Sequence, residues 1–403
     1  MSSTAAVNRA LETQLLVPQG EDAGVVPEIT IAVPALNEEI TIGEFVEWCK
    51  AGLAQADLPG EILIIDSSND RTPEIALAHG ARVLRTPKRG LGRAYIDAMP
   101  YIRGKFIVMG DCDLTYDFRE LKEFVDRYRE GYEFVMGSRF KGSIEPGAMP
   151  PLHQYFGTPL TTWILNVIYH SRFSDIHCGM RGLTKGALEK IDLQSQSWEY
   201  ASEMVLKATR LGLRIAEVPV RFYKDREGRL SHHRRAGFWS PWAAGWINLK
   251  VMLVYTPDSF LLKPGLALFA LGSALCLSLS GGGYTIAGVG FDLYWMLLGL
   301  TLAVLGYSCA QVGILARLSH GLRSGIERSV GAWFTYDRGM ILSSILVALG
   351  LMLAGHLAWQ YVAQGLKLQS ISHAAVFGLF LIIVGFQTFG FTLMIEMMRR
   401  ISR

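Results

Sequence analysis

Two aspartates, one residue apart, are the feature of this 403-residue sequence best suited to chemistry. Asp111 and Asp113 flank Cys112 directly after the apolar run FIVMG. Such a run predicts a buried strand, and the turn after it would carry both carboxylates to the edge of a sheet. Paired carboxylates suit a hard divalent cation, Mg2+ or Mn2+, that also binds a diphosphate. A D-x-D sequence alone is also common in solvated turns, but its position after the strand favours the metal site.

Polar residues follow two other predicted strands in the same way. Asp66 ends the run EILIID, where its carboxylate could accept hydrogen bonds from a nucleobase or a ribose. The sequence PALNE, residues 34–38, follows directly on the run EITIAV. Both positions can equally serve as turns or as N-caps of the next helix, so a purely structural role stays open for each.

Basic residues form three further groups. The sequence KRGLGR, residues 88–93, precedes a predicted helix, where backbone N–H groups and guanidinium groups could bind phosphates. Arg139 follows another predicted strand within the sequence GSR. The third group suits an anionic lipid headgroup, although a basic flank beside a membrane would look the same. It comprises His153, Arg226, Arg229, Ser231, His232, Arg234 and Arg235.

The elements that would position these residues alternate between strands and helices. Strands are predicted at residues 28–34, 61–66, 82–84, 106–110 and 134–137, and helices at 37–50, 72–79, 92–102 and 121–128. This alternation predicts an α/β fold with a doubly wound, mostly parallel sheet covered on both faces. Ligands bind at the carboxyl ends of the strands in such sheets, where the aspartates are expected.

Charge and cysteine content exclude several classes of protein. The 39 basic and 36 acidic residues leave a net charge of +3, which is too small to indicate a nucleic-acid binder. The five cysteines are odd in number and form no C-x-x-C pair, so neither a disulfide framework nor a zinc site is supported. His177 and Cys178 likewise lack partners at ligand spacing, so no metal role is expected for them.

Charged residues nearly vanish after position 260. No Asp, Glu, Lys or Arg lies between 263 and 292, 292 and 317, 338 and 367, or 367 and 396. Each gap exceeds the roughly 20 residues that cross a bilayer as a helix. Four transmembrane helices are therefore predicted at about 264–284, 293–316, 340–362 and 374–395. Arginines cluster between the second and third spans and at the C-terminus, so both termini and the polar portion are expected to be cytosolic, in an inner or cytoplasmic membrane.

The whole chain is thus predicted to contain four parts. Residues 1–27 show no periodicity and are expected to be a flexible tail, and residues 28–235 form the cytosolic α/β domain. Residues 236–258 are predicted to be amphipathic interfacial helices, and residues 259–403 the membrane domain. Trp239, Trp242 and Trp246 recur at helical spacing just before the first span, which favours a place at the membrane–water interface. A core-facing aromatic stripe would show the same spacing.

The order of the motifs resembles a known enzyme family. From about residue 28 to residue 235 the chain contains, in order, VPALNEE, IIDSSNDRT, KRGLGRA, MGDCDLTYD, VMGSR, FSDIHCGMRG, SEMVLKATRLGLRIAEVPV and REGRLSH. These motifs are similar to those of family 2 glycosyltransferases with the GT-A fold. Within that family they resemble the polyprenyl-phosphate glycosyltransferases, which include the dolichyl-phosphate mannose and glucose synthases.

The resemblance implies a role for each group of residues. The nucleotide sugar would be bound by Pro34, Ala35, Asn37, Glu38, Asp66, Arg89, Gly90 and Asp111. Asp111 and Asp113 would hold the Mg2+ or Mn2+ ion, with Asp113 the closer ligand. The acceptor phosphate would be bound by Arg139, His153, Arg226, Ser231 and His232. Asp113, Asp111, Arg139 and Arg226 would form the catalytic set, and Glu203 would shape the sugar pocket.

The sequence also departs from the family pattern. Many relatives have two aspartates where this chain has Ile65 and Asp66, an arginine near the position of His153, and a lysine where it has His232. Because histidine titrates near neutral pH, acceptor binding is expected to be weaker or pH-sensitive.

The implied reaction moves one hexose, glucose or mannose, from a UDP or GDP sugar to polyprenyl phosphate (undecaprenyl or dolichyl) at the cytosolic face, with inversion. The acceptor phosphate is already anionic, so no strong general base is needed. Relatives also make a homo-oligomer packed through the spans plausible.

Two alternatives are a processive polysaccharide synthase and a transporter or flippase for lipid-linked sugars with a nucleotide-sensing domain. The first usually has a Q-x-x-R-W motif, which this sequence lacks. The second needs polar residues in its spans, where only His356, Gln311 and Gln387 stand out.

Overall fold

The computed structural model describes residues 13–20, 26–169, 171–226, 228, 250, 256–319, 334–363, 366 and 372–401. The chain forms two compact units, Met1–Met252 and Leu253–Arg403. The predicted interfacial helices at 236–258, with their three tryptophans, fall almost entirely outside the described residues. So do Ser231 and His232 and the neighbouring arginines of the basic group at 229–235.

The first unit contains one eight-stranded sheet. Its strands are β1 Gln14–Leu16, β2 Ile29–Ala35, β3 Gly60–Asp66, β4 Arg82–Arg85, β5 Phe106–Met109, β6 Phe134–Ile144, β7 Arg181–Thr184 and β8 Ile215–Phe222. The helices are α1 Ile42–Ala56, α2 Thr72–Ala78, α3 Leu91–Ala98, α4 Lys122–Arg129, α5 Thr158–Tyr169, α6 Lys185–Ile191 and α7 Tyr200–Arg210. Single turns at Met99–Tyr101 (3-10) and His153–Gly157 (π) extend α3 and precede α5.

The sheet has two halves that differ in strand direction. The order is β1-β4-β3-β2-β5-β7-β6-β8. β4, β3, β2 and β5 are parallel neighbours, and we call them the parallel half. β7 runs antiparallel to both β5 and β6, while β6 and β8 are parallel, and we call these three strands the mixed half. β2 and β5 are buried almost along their whole length, as expected of central strands covered on both faces. The predicted α/β fold with a mostly parallel sheet is confirmed.

Several element boundaries differ from the prediction. Gln14–Leu16 pairs antiparallel with β4, with Leu15 opposite Leu84, so the segment expected to be a flexible tail contains an edge strand. The helix expected to begin at residue 37 begins at Ile42, because residues 36–41 form the loop that bonds to the next strand end. β6 continues to Ile144 rather than ending at residue 137, since its second part pairs with β8 beyond an irregularity.

The described residues of the second unit form four long apolar helices, α8 Lys263–Ser278, α9 Leu293–Ser319, α10 Tyr336–Ala363 and α11 His373–Ile401. Four stretches are long and apolar enough to cross a membrane: Asp258–Ser278, Leu293–Leu318, Tyr336–Ala363 and His373–Met398. The first starts with a π turn at Asp258–Leu262 and ends at Ser278, about six residues before the predicted end. There a short hairpin, β9 Tyr284–Ile286 and β10 Val289–Phe291, leads to α9.

Glycines and polar side chains pack these helices together. A Cβ added to Gly272 of α8 would lie 2.3 Å from the backbone nitrogen of Ala303 in α9, so the two backbones touch closely there. Gln387 of α11 donates from Nε2 to Ser308 Oγ of α9 at 2.8 Å, and Gln311 Nε2 donates to the Gln387 carbonyl at 3.2 Å. The two glutamines noted in the sequence therefore bond across a helix–helix interface.

Candidate active site

The carboxyl ends of β2 and β3 lie side by side, and the loops after them are bonded together. In the parallel register Ala35 is opposite Asp66. The Ser67 N–H donates to the Ala35 carbonyl at 3.1 Å. Asn37 has a φ of 57°, and its N–H donates to Ser68 Oγ at 2.7 Å. Hydrogen bonds thus join the two loops into one surface at this edge of the sheet, and we call this surface the floor.

Asn37 and Glu38 hold this floor together. Asn37 Oδ1 accepts from the Asn69 N–H at 2.9 Å, and the Glu38 N–H donates to Thr72 Oγ1 at 2.9 Å. The buried Glu38 carboxylate also accepts from Thr41 Oγ1 at 3.2 Å. These bonds establish the structural role that the sequence left open, while direct contact of either side chain with a nucleoside stays a prediction.

Asp66 is the buried carboxylate of this edge. Its Oδ1 accepts from the Ser68 N–H at 3.2 Å, and Arg85 Nη1 lies 2.9 Å from Oδ2 without hydrogen-bond geometry. Within the described part of the chain, Oδ2 accepts no hydrogen bond. Burial raises the pKa of Asp66, although Ser68 and Arg85 act in the opposite direction. An oxygen with an unfilled acceptor position fits the predicted contact with a nucleoside N–H or O–H.

β5 brings the two aspartates of the D-x-D sequence to the same edge, one strand further along. Met109, the last residue of β5, is opposite Ala32 of β2. Cys112 is buried, and its Sγ donates to the Pro34 carbonyl at 3.4 Å. The D-x-D turn is thereby attached to the end of β2, next to the floor that carries Asp66.

The local backbone holds both aspartates in place. Asp113 Oδ1 accepts from the Thr115 N–H at 3.0 Å and from Thr115 Oγ1 at 2.5 Å, within a turn where Leu114 has a φ of 64°. Asp111 lies against Gly179, where an added Cβ would be 2.6 Å from Asp111 Oδ2. A larger residue at position 179 would displace this carboxylate from the position it has here.

The donor set suits a divalent cation that is shared with a ligand. In the described ranges no three His, Cys, Asp or Glu side chains form a group that could hold a metal ion by themselves. Asp111 and Asp113 would therefore supply two of the oxygens, and diphosphate and water oxygens the others. Mg2+ usually binds in this way, through one or two carboxylates and substrate phosphates.

The basic turn at 88–93, which was predicted to bind phosphate, is held by contacts within the protein. Arg89 and Arg93 both pair with Asp97, at 2.9 and 2.8 Å. The Gly92 and Arg93 N–H groups donate to carbonyls of Ser197 and Gln196, at 3.3 and 3.0 Å. These two backbone donors are already used, so a phosphate contact from this turn would come from its other N–H groups or from its basic side chains.

Arg139, another predicted phosphate ligand, is paired with a carboxylate inside the protein. Its guanidinium forms a bidentate pair with Asp175, at 2.6 Å from Nε and 2.8 Å from Nη2, and the Arg139 N–H donates to the same carboxylate at 3.2 Å. Both side chains are buried. This pair holds Arg139 within the packing of the mixed half, while binding of a phosphate by Arg139 stays a prediction. Sequence could not show this, because Asp175 is 36 positions away.

Of the other predicted acceptor residues, His153 and Arg226 lie within the described chain. Arg226 follows β8 and pairs with Glu44 of α1. His153 is half-buried in the π turn before α5. Nearby, His177 Nε2 lies 2.8 Å from Thr161 Oγ1, and burial lowers the pKa of His177 to about 4. Binding of an acceptor phosphate by His153 and Arg226 stays a prediction.

An exposed apolar face was missed in the sequence. It extends from the π turn through α5 and consists of Leu152, Tyr155, Phe156, Leu160, Trp163 and Val167. Tyr155 is 76% exposed and Trp163 is 62% exposed. Their spacing of three and four residues was readable as a helical stripe, but it would normally indicate a buried face. Exposure of so many large apolar residues on one helix marks an interaction surface, which we call the α5 face.

Glu203, which was predicted to shape the sugar pocket, is bonded to a loop of the protein. It is fully buried on α7, where it accepts from the Gln194 and Ser195 N–H groups at 3.0 and 2.7 Å. Lys207 Nζ lies 2.6 Å from its Oε1. These contacts show that Glu203 holds the loop at residues 194–195, while its effect on a sugar pocket stays a prediction.

Two family profiles match this chain. The profile described as glycosyl transferase family 2 matches residues 30–192, which include β2 through β7 and both aspartates. The profile described as the glycosyltransferase family 2 C-terminal transmembrane region matches residues 314–399, which include the third and fourth spans.

Individual proteins are also similar. A low-salt glycan biosynthesis hexosyltransferase of Haloferax volcanii is 36% identical over 91% of this chain and 88% of its own length. A dolichyl-phosphate hexose transferase of the same organism is 30% identical over 50% of this chain and 85% of its own length. Glucosyl-3-phosphoglycerate synthase of Mycobacterium tuberculosis, solved in complex with Mn2+, UDP and glucosyl-3-phosphoglycerate, is 21% identical with a TM-score of 0.42, covering 57% of this chain and 78% of that one.

Proposed function

Because this chain belongs to glycosyl transferase family 2, we propose that it transfers one hexose, glucose or mannose, from a UDP or GDP sugar to polyprenyl phosphate at the cytosolic face of the membrane. The family and the four apolar helices make it a membrane glycosyltransferase. The lipid acceptor, the monosaccharide product and the side of the membrane are parts of the proposal. The similarity to a dolichyl-phosphate hexose transferase supports the choice of acceptor.

The α5 face is the main structural observation that supports a lipid as the acceptor. It belongs to the catalytic unit, yet it exposes six large apolar side chains in a chain that also has four membrane spans. Burial of such a face is favourable at about 25 cal/mol per Å2 of apolar area. Tryptophan and tyrosine prefer the membrane–water interface, and Tyr155 and Trp163 are exposed on this face. We infer that the α5 face contacts the bilayer and places the catalytic unit where a phosphate at the lipid surface can enter.

The proposed chemistry is a direct displacement with inversion. An oxygen of the acceptor phosphate forms a bond to C1 of the hexose while the bond between C1 and the diphosphate oxygen breaks. The electron pair of the broken bond stays on the departing nucleoside diphosphate. The attacking oxygen is already anionic, so no residue needs to remove a proton.

The residues of this chain bind and orient the reactants. Asp66, with its unfilled Oδ2, would hold the nucleoside, and Arg89 would approach the diphosphate from the surface of the basic turn. Asp111 and Asp113 would hold Mg2+ or Mn2+, which when bound would neutralise charge on the leaving diphosphate. Stabilisation of that developing charge is expected to be the largest contribution to the rate.

The function can be tested with the purified full chain. Polyprenyl phosphate and Mn2+ or Mg2+ are incubated with UDP-glucose, UDP-galactose, GDP-mannose and GDP-glucose in turn, each radiolabelled in the sugar. We expect one donor to give an organic-extractable product that mild acid hydrolyses and that contains a single hexose. Asp113→Asn should lower its rate at least about a hundredfold, whereas Asp126→Asn, on the exposed surface of α4, should not.

The outcomes separate the alternatives. Products with many sugars per lipid would identify a processive synthase. Absence of transfer from every donor to the lipid, with nucleotide binding intact, would refute the proposed reaction.

The role of the α5 face has its own test. Trp163→Glu should raise KM for a long-chain polyprenyl phosphate in vesicles roughly tenfold, because a charge is placed where apolar contact with lipid is expected. KM for a water-soluble, short-chain prenyl phosphate should stay the same. Leu211→Glu is the matched control, since Leu211 is also exposed, at 49%, but follows α7 outside the α5 face. Equal changes for both acceptors would contradict contact with the bilayer.

A further inference from the structure

A buried carboxylate that the proposed mechanism does not use lies on α7. Glu203 is fully buried, and burial of a charge is costly unless hydrogen bonds and an ion pair compensate. Its two oxygens accept from the Gln194 and Ser195 N–H groups, and Lys207 pairs with it. Burial alone would raise the pKa of Glu203, but these contacts outweigh burial and lower it, so the group stays ionised at neutral pH.

The segment that Glu203 holds continues into the basic turn. We call residues 194–197 the clamp loop. The Gln196 carbonyl accepts from the Arg93 N–H at 3.0 Å, and the Ser197 carbonyl accepts from the Gly92 N–H at 3.3 Å. One side of the clamp loop is therefore bonded to the carboxylate of α7, and the other to the first turn of α3.

The contact between the clamp loop and the basic turn is too close for a side chain. A Cβ added to Gly90 would lie 2.2 Å from the Gln196 carbonyl oxygen, and one added to Gly92 would lie 2.1 Å from the Ser195 carbonyl oxygen. Gly90 also has a φ of 117°, which favours glycine independently. The glycines of the KRGLGR sequence are explained by backbone packing against the clamp loop.

The position of Arg89 depends on this contact. No side chain caps the N-terminus of α3 at Gly90, so the clamp loop supplies acceptors for its first N–H groups. Arg89 precedes this point directly, is 46% exposed at its side chain, and pairs with Asp97 on the same helix. A shift of the clamp loop would move the backbone of the turn and with it the guanidinium group.

We propose that Glu203 is a positioning residue, which through the clamp loop fixes the turn that presents Arg89 to the diphosphate of the donor. This inference rests on the proposed function for its ligand. It predicts a selective effect, because the residue acts on one part of the donor and not on the acceptor.

The first experiment compares Glu203→Gln with the wild-type full chain. The amide keeps the shape and one acceptor oxygen but loses the charge and the second acceptor. We expect KM for the nucleotide sugar to rise about tenfold, with kcat and KM for the acceptor within about twofold of wild type. UDP and GDP, used as probes with Mn2+, should each bind more weakly by a similar factor wherever the wild type binds them, while binding of the matching nucleoside monophosphate should change less.

Glu217→Gln is the matched control. Glu217 is also a buried carboxylate, but it accepts from the Ser174 N–H at 2.7 Å and pairs with Lys141 at 2.7 Å in the mixed half. A loss of stability without a selective change in donor KM is expected for it. If both variants change donor and acceptor constants equally, Glu203 is merely structural and the inference is wrong.

A double-mutant cycle with Arg89→Ala tests whether Glu203 affects donor binding through Arg89. If Glu203 acts through Arg89, Glu203→Gln should add less than about twofold to donor KM once Arg89 is absent. If the fold-changes in donor KM of the two single variants multiply in the double variant, the inference is wrong. Should Glu203→Gln fail to fold, Lys207→Gln removes the charge that pairs with Glu203 while keeping a donor at the more exposed partner, and the same selective rise in donor KM is expected.

These results also distinguish the inference from the proposed function. If Glu203→Gln binds the nucleoside diphosphate more weakly but the wild type makes no lipid product, Glu203 is a positioning residue and polyprenyl phosphate is not the acceptor. If the wild type makes the lipid product but Glu203→Gln has an unchanged KM for the donor, the proposed function is supported and the positioning role of Glu203 is refuted.

Discussion

The parallel half and the mixed half of the sheet present their charged residues in different ways. In the parallel half, Asp66 ends β3 and Asp111 follows β5, and the Asp66 oxygen that lies 2.9 Å from Arg85 accepts no hydrogen bond in the described chain. In the mixed half, Arg139 lies within β6, and its guanidinium donates two hydrogen bonds to Asp175. The comparison indicates that the end of a parallel strand is a better guide to a candidate ligand group than the charged residue type alone.

The largest effect is expected from breaking the buried pair of the mixed half. Asp175→Asn leaves the Arg139 guanidinium buried without its counter-charge, and this should cost about 3–5 kcal/mol of unfolding free energy. Chemical denaturation in detergent measures the cost. Glu47→Gln is the control, because its pair with Lys50 is half-exposed and should contribute less than about 1 kcal/mol. A cost below 1 kcal/mol for Asp175→Asn would mean that Arg139 is not fixed and could reach a ligand.

This difference also limits what the sequence could predict. Hydrophobic runs located β2, β3 and β5, and the carboxyl ends of these parallel strands placed Asp66 and the D-x-D turn correctly. Long gaps without charge located the four spans for the same reason, since a bilayer excludes charge over a known length. Both predictions depend on local pattern and need no knowledge of distant partners.

The features that the sequence could not show depend on contacts between residues far apart in the chain. Asp175 neutralises Arg139, the clamp loop uses the N–H groups of the basic turn, and β4 pairs with Gln14–Leu16 in the expected tail. The insertion of β7 between β5 and β6 is likewise non-local, because strand order cannot be read from a list of strands. Exposure of the α5 face was missed because a helical apolar stripe predicts burial against something but does not name the partner.

A second, smaller effect in the mixed half concerns pH. Burial lowers the pKa of His177 to about 4, while the unfolded chain has a histidine pKa of about 6.5. Between these values the unfolded state binds a proton that the native state does not, so stability is lost as the pH falls. From pH 7 to pH 5 the loss should be about 2 kcal/mol.

His177→Gln removes this proton-binding difference, so the unfolding free energy of the variant should depend less on pH across that range. His79→Gln, at a half-exposed position on the surface, is the control. Identical pH dependence in the wild type and His177→Gln would show that His177 is solvated rather than buried.

The smallest expected effect concerns the parallel half and tests whether Thr115 orients Asp113 as a metal ligand. Thr115→Val removes the hydroxyl donor to Asp113 Oδ1 but keeps the backbone donor, so the turn should fold while the carboxylate is less well oriented. Partners of ligating groups typically contribute a factor of ten or more to metal affinity. The Mn2+ concentration for half-maximal transfer should rise about tenfold, with unfolding free energy changed by less than about 1 kcal/mol. Thr209→Val removes a comparable hydroxyl, bonded to the Val205 carbonyl within α7, and should leave the Mn2+ requirement unchanged. An unchanged requirement in Thr115→Val would mean that Asp113 is not a metal ligand, and the parallel half would then hold its charged residues for packing, as the mixed half does.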